Sequence, residues 1–224
     1  MTTRNIVCET PRQIWRHLLC SDCEQLLSSR GESYALGVIH RGRHFSLLER
    51  IRLVLPIGQS GEVPMFSGVT LGIETKKLAY FALSLVWKGS LGPWQTLEGQ
   101  TTTVSLGQFQ ETVRLYLSGE TEWPSEIVIV ATVCTDSGSQ AWINAPWPIP
   151  SDLAGGNFKR IELLTRGIWF WVLLGQVPKQ IAEWCCASSP HKILFVRDCT
   201  DQLLLSNRHF IETAENRIPT PRLN

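Results

Sequence analysis

Four apolar segments in the C-terminal half of the chain predict buried β-strands. They are rich in β-branched and aromatic residues, as strands inside a sheet are, and they span residues 127–134, 158–165, 167–175 and 192–196. The segments 158–165 and 167–175 meet at Arg166-Gly167, which predicts that they are joined there. Alternation in 158–165 predicts an edge strand, whereas the continuous apolar run that follows predicts a central strand. We therefore expect a mainly antiparallel sheet.

Helical patterns precede these strands. ETKKLAYFALSLVWKGSL is apolar around most of its circumference, which predicts a buried helix over 75–90, packed on one face of the sheet, with Thr75 as its N-cap. SLGQFQETVRLYLSGE predicts an amphipathic helix closed by Gly119. TPRQIWRHLL and FSLLERIRLVLP predict two shorter helices, the second ending at Pro56.

The order of these elements predicts the α+β class. We expect an N-terminal helical segment at 1–56 that carries a Cys-x2-Cys knuckle and breaks at Gly31, followed by an α+β core at 57–215 that is continuous with it. The glycine-rich stretch 57–72 matches no phosphate-binding pattern and indicates a flexible connector. Residues 216–224 are predicted to form a disordered tail.

Composition limits the classes of function. Lys and Arg total 21 against 20 Asp and Glu, which argues against binding nucleic acid by bulk charge. The start, MTTRNIVCET, has no apolar signal-peptide core, and the apolar run GIWFWVLLG is too short to cross a bilayer as a helix. We therefore predict a cytoplasmic protein with reduced thiols and no membrane partner. Four of its cysteines, Cys134, Cys185, Cys186 and Cys199, are assigned to the core, the first and last of them on apolar strands.

Cys20 and Cys23 have the spacing of a zinc knuckle, which supplies two thiolate ligands from one tight turn. Reading forward, His40 and His44 complete a four-ligand set, although Gly42 between them disfavours a regular helix. Reading backward, Cys8 and His17 are the other available ligands, at irregular spacing. The remaining alternative is a pair of reduced thiols without metal.

A basic cluster, HRGRHFSLLERIR, follows at 40–52. It contains Arg41, Arg43, Arg50 and Arg52, which could hold phosphates by bidentate hydrogen bonds. The other interpretation is a solvated helix face. Glu24, beside the knuckle, is a candidate metal-site acid or simply a residue of the first helical turn.

Three motifs occur in a suggestive order: RQIWRHLLCSDCEQLLSSRGESYAL, KLAYFALSLVWKGSLGPW and VSLGQFQETVRLYLSGETEWP. They resemble a widespread group of uncharacterised bacterial proteins in which an LLCxDCE knuckle is followed by FALSxxWRAS and LGxYEExxRxYLxGE helices. The resemblance covers roughly residues 10 to 130 by its motifs, and GIWFWVLLGQVP fits the family's last strand more loosely. Family members also carry an upstream Cys-x2-Cys and a Ser-His-x-x-Pro segment, which together with the knuckle resemble the zinc-stapled treble clef of HNH endonucleases.

This chain departs from the family at that upstream half. Only Cys8 precedes Cys20 in place of the cysteine pair, and Lys88-Gly89 replaces Arg-Ala in the helix motif. Phosphodiester hydrolysis needs a general base close to a metal, so we expect no DNA cleavage. The resemblance then implies a non-catalytic accessory or binding protein that contacts nucleic acid or a partner protein. The alternative is an HNH-like nuclease whose missing ligands lie upstream or in another chain.

Overall fold

The structure, a computed structural model, describes residues 19–92, 104–143 and 157–205, and the backbone at 94–95, 101–102 and 147–149. The helices in these residues are α1 (Ser21–Leu27), α2 (Ser33–Val38), α3 (Ser46–Ile51), α4 (Thr75–Ser90), α5 (Phe109–Ser118), α6 (Ser137–Ala141) and α7 (Lys179–Ala182). The strands are β1 (Gly58–Ser60), β2 (Val63–Ser67), β3 (Trp94–Gln95), β4 (Thr101–Thr102), β5 (Ile127–Cys134), β6 (Trp147–Ile149), β7 (Asn157–Thr165), β8 (Ile168–Gln176) and β9 (Ile193–Arg197). The predicted α+β class is confirmed.

The main sheet contains seven of the described strands, in the order β1-β2-β9-β5-β8-β7-β6. Every neighbouring pair is antiparallel except β5 and β9, which run parallel. The last strand of the described chain therefore lies inside the sheet, between β2 and β5. The predicted mainly antiparallel sheet is confirmed.

The hairpin between β7 and β8 turns at Arg166 and Gly167. Both residues have positive φ, 41° and 94°, as the two-residue turns that match strand twist require. A Cβ at Gly167 would meet the ring of Phe45 at 2.7 Å, so the turn packs directly against the N-terminal segment. β8 is central as predicted, but β7 is not an edge strand, because β6 pairs with its outer side.

Residues 57–72 correct the prediction of a flexible connector. Their centre is the hairpin β1–β2, whose second strand joins β9 from Met65 onward. Gly61, at φ 58°, provides the left-handed residue of the turn. Among the glycines of this stretch, Gly61 marks the hairpin turn.

The helices differ from prediction mainly at their ends. The N-terminal segment does not break at Gly31, because a π-helical turn, Ser28–Glu32, connects α1 to α2. Glu74 caps α4 in place of Thr75, which is the first helical residue and whose buried hydroxyl has no hydrogen-bond partner in the described chain. α3 ends at Ile51 rather than Pro56. Gly119 ends α5 in the left-handed conformation, as predicted.

Two clusters of buried residues pack against the sheet. The larger extends from Leu27 to Val196, includes most of α4, and receives Val133 and Ile168. The smaller contains Cys134, Leu164, Trp169, Cys199 and Leu203. Since neighbouring residues in a strand point to opposite faces, Cys134 and Trp169 face away from their neighbours Val133 and Ile168. A helical segment at 200–205 brings Leu203 to the smaller cluster.

None of the helices in the described part of the chain is long and apolar enough to span a bilayer. The predicted helix at TPRQIWRHLL and the predicted tail at 216–224 lie outside the described residues, apart from Leu19. The described structure therefore begins at the cysteine knuckle.

Candidate functional site

The Cys20–Cys23 pair stands at the start of α1, as a knuckle requires. Cys20 is the N-cap, Cys23 is in the first turn, and both side chains are exposed. The backbone N–H and the thiol of Cys23 donate to the Cys20 sulfur and lower the pKa of Cys20. The same thiol contact raises the pKa of Cys23, because its proton is held in that bond. The two sulfurs thus form a hydrogen-bonded pair that is open to solvent.

Glu24 holds this knuckle to the body of the protein. Its carboxylate lies 2.8 Å from the ammonium of Lys88 on α4. Lys88 is one of the two residues that depart from the resembled helix motif, and it forms an ion pair between that helix and α1. This contact favours the structural interpretation of Glu24 over a role as a metal-site acid.

His40 and His44 flank a tight turn instead of one helical turn. Arg41 and His44 exchange backbone hydrogen bonds of 2.7 and 3.1 Å across Gly42, which has φ 64°. The His40 ring meets Phe45 edge-on, with 6.2 Å between centroids, and the exposed His44 lies 3.8 Å from Glu49. Each histidine therefore has a local contact in or beside the turn.

The predicted ligands do not assemble into a metal site within the described chain. Only one group of three or more metal-ligating side chains is found there, and it contains none of Cys20, Cys23, His40 and His44. Cys8 and His17, the backward alternatives, lie outside the described residues. Completion of the knuckle by those two residues therefore stays a prediction.

The four arginines of the basic cluster are all exposed. Arg50 donates a long hydrogen bond, 3.4 Å, to the carbonyl of Gly72. None of the ion pairs of the described residues involves Arg41, Arg43, Arg50 or Arg52. Leu53, Leu55 and Ile57 follow α3 and are 84%, 87% and 47% exposed. Residues 40–57 thus form a surface, called here the basic-apolar surface, with unpaired cations beside uncovered aliphatic side chains.

Among the described residues, the one group with metal-ligand geometry consists of Cys134, Asp136 and Cys199, and is called here the Cys-Asp-Cys cluster. One ligand atom from each residue lies within 4.8 Å of the others. The parallel pairing of β5 with β9 creates it, since Cys134 ends β5 opposite Arg197, the last residue of β9. Cys199 follows two residues later, so it is not on a strand as the sequence predicted, although it is buried as predicted.

Hydrogen bonds fix the Asp136 carboxylate within this cluster. One oxygen accepts from the Ser139 N–H at 2.6 Å and caps α6. The other accepts from the Cys199 N–H at 2.9 Å. The carboxylate therefore joins the end of β5, the start of α6 and the segment after β9.

The contact between the two sulfurs of the cluster shifts the pKa values of both thiols. A hydrogen bond to the Cys199 sulfur, together with burial, raises the pKa of Cys134. The same bond lowers the pKa of Cys199, and the Arg197 guanidinium lowers it further. Cys199 is therefore the more acidic thiol of the two.

No pattern in the sequence indicated this cluster, because its cysteines are far apart along the chain and belong to different apolar segments. The short spacing Cys134-x-Asp136 was the only local signal. Comparison of the chain with protein-family models, with curated proteins and with solved structures finds no match.

Proposed function

We propose that this chain is a non-catalytic binding protein that docks an acidic partner protein on the basic-apolar surface. The observation that carries the proposal is the combination of four exposed arginines outside any ion pair of the described residues with three exposed aliphatic side chains in the same stretch. Within 40–57 the only acidic residue is Glu49, so the stretch is basic although the whole chain is nearly neutral. An acidic partner complements this charge.

The aliphatic side chains favour a protein over a nucleic acid. Burying Leu53 and Leu55 in an interface would contribute about 25 cal/mol for each Å² of apolar surface removed from water. Protein–DNA interfaces are more polar, and binding of single strands relies on aromatic side chains that stack on bases. The aromatic residue of this stretch, Phe45, is buried. Nucleic acid is the second candidate partner, supported by the arginines alone.

Zinc enters the proposal as a structural ion at the knuckle. Cys20 and Cys23 would supply two thiolates, and Cys8 and His17 the other two ligands of a tetrahedral site. In the described chain the one metal-ligating group contains no histidine. A general base beside a metal, which a nuclease of the resembled type requires, is thus without support among these residues.

Fluorescence anisotropy with three labelled probes tests which class of partner the protein binds. The probes are an acidic amphipathic peptide of glutamates and leucines, a duplex DNA and a single-stranded DNA, each titrated across a range of NaCl. We expect the peptide to bind most tightly and to keep measurable binding at salt that abolishes DNA binding, because apolar burial is not screened. Leu53→Ser with Leu55→Ser should weaken peptide binding about tenfold or more, as loss of two buried anchors implies.

Matched controls distinguish binding at this surface from non-specific electrostatic and hydrophobic binding. Lys76→Gln with Lys179→Gln removes two exposed cations outside the stretch, and Leu205→Ser removes an exposed leucine elsewhere. Neither should change peptide binding. DNA binding that falls steeply with salt and ignores the leucine variants would select the second candidate. Failure to bind any probe, or plasmid nicking lost with His40 or His44, would overturn the proposal.

A further inference from the structure

We propose that the Cys-Asp-Cys cluster is a metal site for one thiophilic divalent cation of the zinc class, separate from the knuckle and buried under the 200–205 segment. Two sulfur ligands and one carboxylate, all within 4.8 Å of one another, are the donor set that zinc accepts. The cysteines of the two sites belong to separate parts of the fold, since Cys20 and Cys23 lie on α1. This proposal does not depend on the proposed function.

Charge balance favours a divalent ion. Two thiolates and one carboxylate carry three negative charges, which a buried site cannot hold without compensation. A divalent cation and the guanidinium of Arg197, which ends β9 two residues before Cys199, supply three positive charges. A loaded cluster with Arg197 is therefore neutral, as burial demands.

The Cys-Asp-Cys cluster is also preorganised for metal binding. Backbone N–H groups of Ser139 and Cys199 hold the two carboxylate oxygens, and each oxygen keeps a lone pair for a metal. The side-chain amide of Gln140 donates to the carbonyls of Cys134 and Thr135 at 3.3 and 3.1 Å, which fixes the end of β5. Outer contacts of this kind orient metal ligands.

The buried hydroxyl of Ser139 indicates the fourth coordination position of the metal. Ser139 is 0% exposed, and its Oγ has no hydrogen-bond partner within geometric limits among the described residues. Its backbone N–H donates to the Asp136 carboxylate at 2.6 Å, which places the residue at the cluster. Because a buried hydroxyl without a partner is costly, we assign to Ser139 the role of holding the fourth ligand, its own oxygen or one water, in tetrahedral coordination.

Cobalt(II) titration tests the site, because thiolate-to-cobalt charge transfer reports sulfur ligation directly. The full chain carrying Cys20→Ser and Cys23→Ser is reduced, stripped with chelator and titrated. We expect one equivalent of cobalt and a near-ultraviolet charge-transfer band, with competition by zinc. Adding Cys199→Ser should remove the band to below about a tenth of its intensity, since a single remaining thiolate binds weakly. Cys186→Ser, which changes an equally buried thiol elsewhere in the core, should keep it.

Two results would overturn the proposal: no charge-transfer band in the protein with Cys20→Ser and Cys23→Ser, or a band that survives Cys199→Ser. Near-ultraviolet circular dichroism shows whether the Cys199→Ser protein is folded. If it is unfolded, the cobalt affinity of Asp136→Asn tests the site instead. That variant keeps an acceptor oxygen but loses the charge, and should weaken cobalt binding about tenfold to a hundredfold. Unchanged cobalt affinity in a folded Asp136→Asn protein would exclude the carboxylate and with it the proposed site.

Discussion

The two cysteine pairs of this chain differ in how they come together. Cys20 and Cys23 are neighbours along one turn of chain and remain exposed, whereas Cys134 and Cys199 meet only because β5 and β9 pair in parallel. The first pair is held by local backbone geometry, and the second by a long-range contact of the whole sheet. Sequence spacing alone can reveal a site of the first kind but not of the second.

The two cysteine pairs also differ in how strongly their geometry depends on folding. A knuckle of adjacent residues keeps its two sulfurs close in the unfolded chain, while the Cys-Asp-Cys cluster has no counterpart there. Metal bound only by the native state stabilises it through mass action. The two pairs should therefore depend differently on the folded structure, and four experiments test this contrast.

The largest expected difference is in access to alkylating reagents. In the native protein under chelator, iodoacetamide should modify Cys20 at least about 1,000-fold faster than Cys134 or Cys199, because the buried thiols react only after the core opens. Mass spectrometry of quenched samples measures the rates, and buried Cys185 serves as an internal control. Modification of Cys199 within tenfold of the Cys20 rate would show that the cluster is open to solvent.

Asp136→Ala should destabilise the metal-free protein by about 2–3 kcal/mol, because it removes the cap of α6 and leaves the Cys199 N–H without its acceptor. Urea unfolding measures the change as a shift of midpoint at constant slope. Asp201→Ala, an exposed carboxylate nearby, should leave the midpoint unchanged. Equal midpoints for the two variants would mean that Asp136 does not hold the cluster together.

Removing one thiol from each pair should have a smaller and unequal effect. Cys134→Ala deletes a fully buried sulfur and should cost about 1–2 kcal/mol of stability, as other small core deletions do. Cys20→Ala should not move the unfolding midpoint. Both are measured under chelator, so that only packing is compared, and a larger loss for Cys20→Ala would reverse the roles assigned to the two pairs.

The smallest expected effect is a shift in the pH dependence of alkylation of Cys20 and Cys23. Folding lowers the pKa of Cys20, so its thiolate forms at lower pH than in the unfolded chain, and the pH midpoint of its alkylation should shift down on folding. The pKa of Cys23 is raised, so its midpoint should shift up. Cys23→Ala removes the donating thiol and should raise the Cys20 midpoint. Identical profiles for Cys20 in folded and urea-unfolded protein would exclude the sulfur–sulfur hydrogen bond.

Sequence patterns predicted the long elements well, because a buried strand or helix needs a continuous apolar signal. The segments predicted at 127–134 and 167–175 correspond to β5 and β8 almost to the residue. β2 was missed because the glycines around it indicated a flexible connector, and the strand also accommodates Pro64. It is tolerated there because β2 joins β9 only from Met65 onward and β1, on its other side, is short.

The site was less predictable than the fold. The exposure of the four arginines agreed with the charge pattern, and the position of Cys20 and Cys23 agreed with the knuckle spacing. The apposition of Cys134 and Cys199 depends on which strands become neighbours and in which direction. Apolar composition predicts that a strand is buried but does not predict its partner, so this cluster could be found only from the folded structure.

The insertion of β9 between β2 and β5 has a consequence for synthesis of the chain. During translation, β2 and β5 emerge from the ribosome long before β9. Each of these two strands therefore has an unpaired edge until about residue 197 has emerged. The sheet cannot close in the order in which it is made. Exposed edges of apolar strands invite pairing with other chains, so slowing or stalling translation before β9 should favour aggregation, whereas a stall after it should not.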